Sequence, residues 1–291
     1  MLSYWGLGAG DWILGTGDWG LDCWDLVIRL PSNHSPSSQF PSPQPPVPSL
    51  QPPAPSISPV QAYYLILYLC VMKTAYFQKE NIKEVSGEIL ERIRPFCKSY
   101  RPVLDKDRMA LLVVDMQHFF CDPHAHGFIP SAPAIIPGIM KLQKQCMESG
   151  IPVILTRHVN TEADAGMMGI RWKEVVTREN PQSAVIPELL LPGTTILEKS
   201  QFDAFFGTIL EEKLKKEGRD QLIVCGVMTN LCCETTVRSA FVRGFEPLFP
   251  VDTTAAYNFE FHLSTFINLV YGFISPLNAD EVIQVIINET Y

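Results

Sequence analysis

The sequence predicts an α/β fold: a doubly wound, mostly parallel six-stranded sheet with helices on both faces. Three observations lead there. After the first hundred residues, apolar runs of strand length alternate with segments of helical periodicity. Ala110-Leu111-Leu112-Val113-Val114 is an unbroken apolar run, as a central parallel strand covered on both faces requires, and it ends in the carboxylate of Asp115. Leu222-Ile223-Val224-Cys225-Gly226-Val227 is a second such run, and it passes through a turn to Cys232 where a helical pattern opens.

Taken in order, residues 80–94 carry Ile82, Val85, Ile89, Leu90 and Ile93 at helical spacing, and Pro95 stops the helix because the residue before a proline is biased away from helical geometry. Strands are expected at 110–115, 152–157, 194–197, 221–227 and 246–251, with a last one near 273–275. Helices are expected at 135–149, 204–217, 231–244, 259–271 and 279–287. This alternation calls for right-handed crossovers between parallel strands. Residues 160–187 form the longest irregular stretch and read either as a binding loop or as a plain surface excursion.

The organisation that follows has three parts. Residues 1–71 are Gly- and Trp-rich and then Pro- and Ser-rich, as in a disordered segment or a mis-called leader. The apolar run at 62–72 is shorter than the roughly 20 residues that span a bilayer, and a translation start at Met72 is one expectation, which the intact mass of natively expressed protein tests. Residues 72–106 are a helical extension, and 107–291 the α/β domain. A net charge of −8 argues against general nucleic-acid binding. The eight cysteines contain no Cys-x-x-Cys pair and sit partly in apolar runs, which fits reduced, cytoplasmic usage and no disulfide framework. No membrane attachment and no cofactor are expected.

The chemistry concentrates at three strand ends. Open α/β sheets place ligands beyond the carboxyl ends of their strands, which is where Asp115, Lys199 (after Thr195-Ile196-Leu197-Glu198) and Cys232 fall. A thiol in the first turn of a helix sees the positive end of the dipole, which favours the nucleophilic thiolate, and the amides there can hold an oxyanion. The plain alternatives are that Asp115 caps a turn, Lys199 is a solvated charge and Cys232 is a packed core thiol. Cys233 lies about 100° round the helix from Cys232 and reads as a packed small residue, like Cys225.

Three motifs in order, Val113-Val114-Asp115-Met116-Gln117, Leu197 to Thr208 with its Lys199-Ser200-Gln201-Phe202-Asp203 core, and Gly226-Val227-Met228-Thr229-Asn230-Leu231-Cys232, resemble those of the isochorismatase-like cysteine hydrolases. Val251-Asp252-Thr253-Thr254-Ala255-Ala256 fits as well. The resemblance implies the isochorismatase-like hydrolase fold, a catalytic triad of Asp115, Lys199 and Cys232, a cis peptide at Val227–Met228 and self-association into a homo-oligomer. It implies hydrolysis of a C–N bond in a small amide, carbamoyl or ureido compound through a thioester on Cys232, with Asp115 as base and the amides of Met228 and Cys232 as oxyanion donors. Gln117, Phe120, His158, Trp172 and Phe205 are candidates for the substrate pocket. His158 equally suits a satisfied buried histidine, and Phe120, Trp172 and Phe205 equally suit the core.

Two further readings stand beside this one. His118, Asp122, His124 and His126 make a polar cluster with the residue types of a divalent-metal site. However, the Asp-x-His element of the family's nicotinamidase branch is replaced here by Thr156-Arg157-His158-Val159-Asn160, so neither a metal nor nicotinamide is expected. Isochorismatase-type vinyl-ether hydrolysis is the alternative chemistry, and the branch that performs it dispenses with the cysteine. A non-catalytic scaffold that keeps the fold is the alternative outside catalysis.

Overall fold

A computed structural model describes residues 73–98, 100–172 and 175–288. The expected leader over 1–71 and the start at Met72 lie outside these residues.

The core is a parallel sheet in the order β3-β2-β1-β4-β5, with β6 also pairing with β4. The strands are β1 (Met109–Val114), β2 (Val153–His158), β3 (Thr195–Lys199), β4 (Gln221–Val227), β5 (Glu246–Leu248) and β6 (Thr254–Ala255). Every residue of β1 and β4 is buried, which is why both read as unbroken apolar runs. β3 lies at an edge and is half exposed. The chain runs outward from β1 through β2 to β3, then crosses back to β4, so the strand order reverses between β1 and β4. Ligands in such sheets bind at that reversal.

Gly226 makes the β1–β4 pairing possible. It stands opposite Val114 at φ +106°, and a Cβ there would lie 2.1 Å from the Val114 carbonyl oxygen. Any side chain would push apart the two strands that carry Asp115 and Cys232.

The helices are α1 (Ile82–Ile93), α2 (His118–Cys121), α3 (Ala132–Glu148), α4 (Met167–Arg171), α5 (Leu210–Lys216), α6 (Glu234–Val242), α7 (Phe259–Val270) and α8 (Ala279–Asn288). Four elements depart from expectation. Strand 246–251 is split: β5 stops at Leu248, Pro250 has no N–H to continue a ladder, and pairing resumes at Thr254 against Gly226. The sixth strand is therefore β6, and residues 273–275 form none; the amides of Phe273 and Ile274 bond back to the Leu269 carbonyl at 2.8 and 3.2 Å and close α7 instead. The helix expected at 204–217 begins only at Leu210, because Gly207 turns the chain at φ +67°. The helix expected from 231 opens with a π turn, Thr229–Cys233, before α6. The extension ahead of β1 joins the main core: Phe77, Ile89 and Ile93 are buried within the same apolar cluster as β1 and β4. Among the described residues no helix is long and apolar enough to cross a membrane.

Candidate active site

Asp115 follows β1 directly and turns the chain at φ +50°, a conformation Asp tolerates better than most residues. Thr156, on β2, holds it there. The Thr156 hydroxyl accepts from the Asp115 amide at 3.0 Å and donates to Oδ1 of its carboxylate at 2.6 Å. Oδ2 receives no regular hydrogen bond; it faces Lys199 Nζ at 2.7 Å as an ion pair, with both side chains fully buried. Lys199 is the last residue of β3, in register with His158 on β2. Its ammonium also donates to the Gln201 carbonyl at 2.9 Å and to Cys232 Sγ at 3.5 Å. The sulfur, carboxylate and ammonium thus come together from three separate strand ends, on the side of the sheet where the strand order reverses. The Val227–Met228 bond leading into the Cys232 turn is cis.

The protonation states are set by burial and by mutual charge. Burial pushes the Asp115 carboxyl up, but Lys199 and then His158 outweigh it and hold the group below the usual carboxylate range. Burial pushes Lys199 down, and the Asp115 charge outweighs that, so the ammonium persists. Cys232 behaves otherwise than its position at a helix start predicts. Burial raises its thiol strongly, Lys199 opposes this, and Asp115 raises it further. The reasons are that Sγ sits in a buried π turn, and that the nearby carboxylate already claims the Lys199 charge. The centre is therefore an ion pair beside a neutral thiol.

His158 completes the polar shell. Its Nδ1 lies 3.3 Å from Lys199 Nζ and its Nε2 2.8 Å from Asn160 Oδ1. This pairing assigns the neutral tautomer with hydrogen on Nε2, and burial together with the Lys199 charge keeps the ring neutral. Asn160 is fixed in turn by donating to the Ser200 carbonyl at 2.8 Å.

Cys232 opens onto a cavity of ≈ 90 Å³ walled by Phe120, His158, Asn160, Trp172, Met228 and others. Space for one water takes about 10–15 Å³, so the cavity suits a compact ligand. Two of the expected pocket residues are elsewhere. Gln117 is fully buried and acts as a strut: its amide nitrogen donates to the carbonyls of His158 and Ser183 at 3.0 and 2.7 Å, and its oxygen accepts from the His158 amide at 2.8 Å. Phe205 packs against Phe245 at 5.5 Å between centroids, under Arg243. Phe120, His158 and Trp172 do line the cavity. Thr156 and Asn160 carry no motif, although a signal is present: Thr156 and His158 alternate along β2 and so share one face, and Asn160 follows two residues past the strand end.

The residues do not fit a metal. His158 has both ring nitrogens engaged, and among the described residues no three His, Cys, Asp or Glu side chains gather as a metal site would need. The cluster of His118, Asp122, His124 and His126 runs from the start of α2 into the loop after it, with Asp122 accepting from the His124 amide at 2.9 Å. Cys233 is fully buried, its Sγ 3.7 Å from the Thr254 hydroxyl, and Cys225 donates to the Leu112 carbonyl at 3.8 Å; both are core thiols, raised well above their ordinary range by burial.

Comparison with known proteins shows the family and the fold. The family model described as Isochorismatase domain matches residues 109–281. Nicotinamidase 3 of Arabidopsis thaliana is 37% identical over 179 residues, which cover 60% of this chain and 86% of that protein. Enterobactin synthase component B of Escherichia coli K12 is 32% identical over 162 residues, covering 55% of this chain and 56% of that protein, so the match spans little more than half of that relative. The crystal structure of a cysteine hydrolase from Pseudomonas syringae pv. phaseolicola 1448A superposes with a TM-score of 0.63 at 28% identity, over 67% of this chain and 100% of that one.

Proposed function

This chain belongs to the isochorismatase family of hydrolases, and we propose that it cleaves a C–N bond in a small amide, carbamoyl or ureido compound through a thioester on Cys232. One observation carries the reading: Asp115, Lys199 and Cys232 lie within 2.7 and 3.5 Å of successive partners, and Cys232 lines a compact cavity. Cys232 Sγ attacks the carbonyl carbon as its proton passes to the Asp115 carboxylate. Lys199 keeps its charge throughout; it holds Asp115 in place and stabilises the sulfur as negative charge grows there. The backbone amides of Met228 and Cys232 receive the oxyanion, an arrangement in which losing one donor costs about 3 kcal/mol of barrier. Collapse breaks the C–N bond, and Asp115 returns the proton to the departing nitrogen. Water then attacks the thioester while Asp115 takes its proton, and the acid leaves as the thiol re-forms.

The amide reading is favoured over vinyl-ether hydrolysis because a thiol is present beside a base, and a vinyl ether offers no acyl carbon for it. It is favoured over a scaffold because burying an ion pair and a thiol together is a costly way to fill a core. No metal step is invoked. A cytoplasmic homo-oligomer is part of the same proposal.

The test is a turnover screen over small amides, carbamoyl amines and ureides, with nicotinamide included because of the Arabidopsis relative's name, and isochorismate as the vinyl-ether arm. Cys232→Ala should lower the rate on any amide by more than about 10³-fold while leaving the far-ultraviolet spectrum unchanged. Retention of a substantial fraction of the rate removes Cys232 from its role.

A further inference from the structure

The turn that carries Cys232 is irregular. The amides of Leu231 and Cys233 both converge on the Met228 carbonyl at 3.1 Å, inside a single π turn. Something other than a regular helix must hold it. Part of that support comes from outside the family-matched residues 109–281, in the segment just ahead of α1.

Tyr76 Oη lies 2.8 Å from His262 Nδ1 on α7 and accepts from the Ala256 amide at 3.0 Å. The same His262 nitrogen is 3.1 Å from the hydroxyl of Thr229, the residue after Met228. Thr229 Oγ1 is 3.0 Å from Thr254 Oγ1, which donates to the Gly226 carbonyl at 2.8 Å. His262 is fully buried and burial keeps its ring neutral; its Nε2 faces the Val251 carbonyl without a regular hydrogen bond. With hydrogen on Nε2, Nδ1 is the acceptor shared between the Tyr76 and Thr229 hydroxyls, and the Tyr76 phenol stays protonated because it too is buried. None of Tyr76, Thr229 and His262 is among the residues that wall the cavity. The segment is itself well anchored. The Tyr76 and Phe77 amides both donate to Ser131 Oγ at 3.0 and 3.1 Å, and the Thr74 amide donates to the Tyr257 carbonyl at 2.8 Å.

A phenylalanine would fill the same space beside Phe77 and Phe259. A buried hydroxyl has to be matched by specific partners to be tolerated, and the partners here lead to the nucleophile turn. Resting on the reading that Cys232 is the nucleophile and that its turn carries the oxyanion donors, we propose that Tyr76 is a positioning residue: one hydroxyl from the N-terminal segment, acting through His262 and Thr229, braces the Met228–Cys232 turn from behind. The segment ahead of the family domain is then part of the catalytic apparatus without touching substrate.

The test compares Tyr76→Phe with Ser131→Ala in the full chain. The first removes the hydroxyl and keeps the ring; the second loosens the same segment and keeps the hydroxyl. Both melting temperatures are recorded, together with the rate of Cys232 alkylation by iodoacetamide, followed by peptide mass spectrometry, and turnover of the best substrate from the screen. Y76F should alkylate Cys232 more than about threefold faster, because a looser turn admits the reagent more often. It should lose kcat roughly tenfold, with KM within about twofold. S131A should lower the melting temperature and leave both rates near those of the parent. Alkylation unchanged in Y76F, or changed equally in S131A, overturns the proposal. If no amide is turned over by the parent protein, the hydrolase reading fails separately and the alkylation rates still decide the role of Tyr76. Should Y76F not fold, Thr229→Val breaks the other end of the relay and must give the same alkylation change.

Discussion

The nucleophile turn has two polar sides, equally buried and unlike in charge. In front stands the Lys199–Asp115 ion pair with Sγ beside it. Behind stands the neutral group of His262, Thr229 and Thr254, reached by Tyr76. In front, two full charges are kept out of water, and the proposed acid–base step needs a carboxylate that stays ionised and a fixed cation to hold it. Behind, burial keeps the His262 imidazole and the Tyr76 phenol neutral, and hydroxyls match the imidazole nitrogen. On the proposed mechanism the difference separates two roles: charge moves in front, and geometry is held behind. Burial alone does not tell the two apart; the presence of a partner of opposite charge does.

The sharpest break of that comparison is Lys199→Met. It leaves the Asp115 carboxylate buried with no cation, which typically costs 3–5 kcal/mol when one partner of a buried pair is removed. Turnover should be lost altogether. Urea denaturation near neutral pH measures the stability change, and adding Asp115→Asn should restore most of the stability and none of the activity. A single variant as stable as the parent would show that the pair is not the charged centre described. The pH window follows from the two shifts. Asp115 titrates below its ordinary 3.8, so its contribution is present above that value and fades as pH falls through the lower folded value. Lys199 titrates above its ordinary 10.5, so its contribution is whole below that value and fades only as pH rises past the raised one. Between these limits the pair should be fully formed.

Much of the front was legible in the sequence and little of the rear. β1 and β4 are buried on both faces, so their apolar runs announced central strands, and a carboxylate or a thiol just past such a run falls at the ligand-binding edge. Lys199 was legible for the same reason. What local sequence does not carry is tertiary. Gln117 stands next to the motif, yet its amide satisfies the backbone of a loop and not a substrate. Phe205 lies in a motif but faces the core. β6 is only two residues long and exists because Pro250 breaks the strand before it. The thiolate expected at Cys232 failed because dipole arguments assume an exposed helix start, whereas this thiol is buried next to a carboxylate. Tyr76 and His262 are 186 positions apart, and no periodicity joins them.

The rear side can be probed by acid. His262 is held at about 3, against an ordinary 6.5, with burial as the main cause. A depressed histidine takes its proton in the unfolded chain first, so stability should fall as pH drops from 6.5 towards the folded value. The slope is about 1.4 kcal/mol per pH unit per such group at most. His158, also lowered by burial and then by Lys199, adds in the same direction. Denaturation at a series of pH values from 7 to 4.5 should show this slope in the parent, and His262→Asn should flatten it to the share left by His158. An equal slope in the variant would mean that the ring behind the turn already carries a proton in the folded protein, and that the two sides do not differ in charge as argued.

The smallest expected effect comes from a pair that looks as strong as the one in front. Lys141 Nζ and Asp280 Oδ1 are 2.6 Å apart, shorter than Lys199–Asp115, but their side chains are 61% and 54% exposed. Water and salt screen such a pair, and holding two long side chains still offsets much of the attraction; exposed pairs contribute about 0.2–1 kcal/mol. Asp280 also sits in the first turn of α8, where its charge favours the helix dipole whether or not Lys141 is present. Lys141→Ala should therefore shift stability by less than about 1 kcal/mol, and raising the ionic strength should shrink the difference further. A loss near that of Lys199→Met would mean that distance, not environment, sets the strength of ion pairs in this molecule, and the contrast between the charged front and the neutral rear of the turn would lose its physical basis.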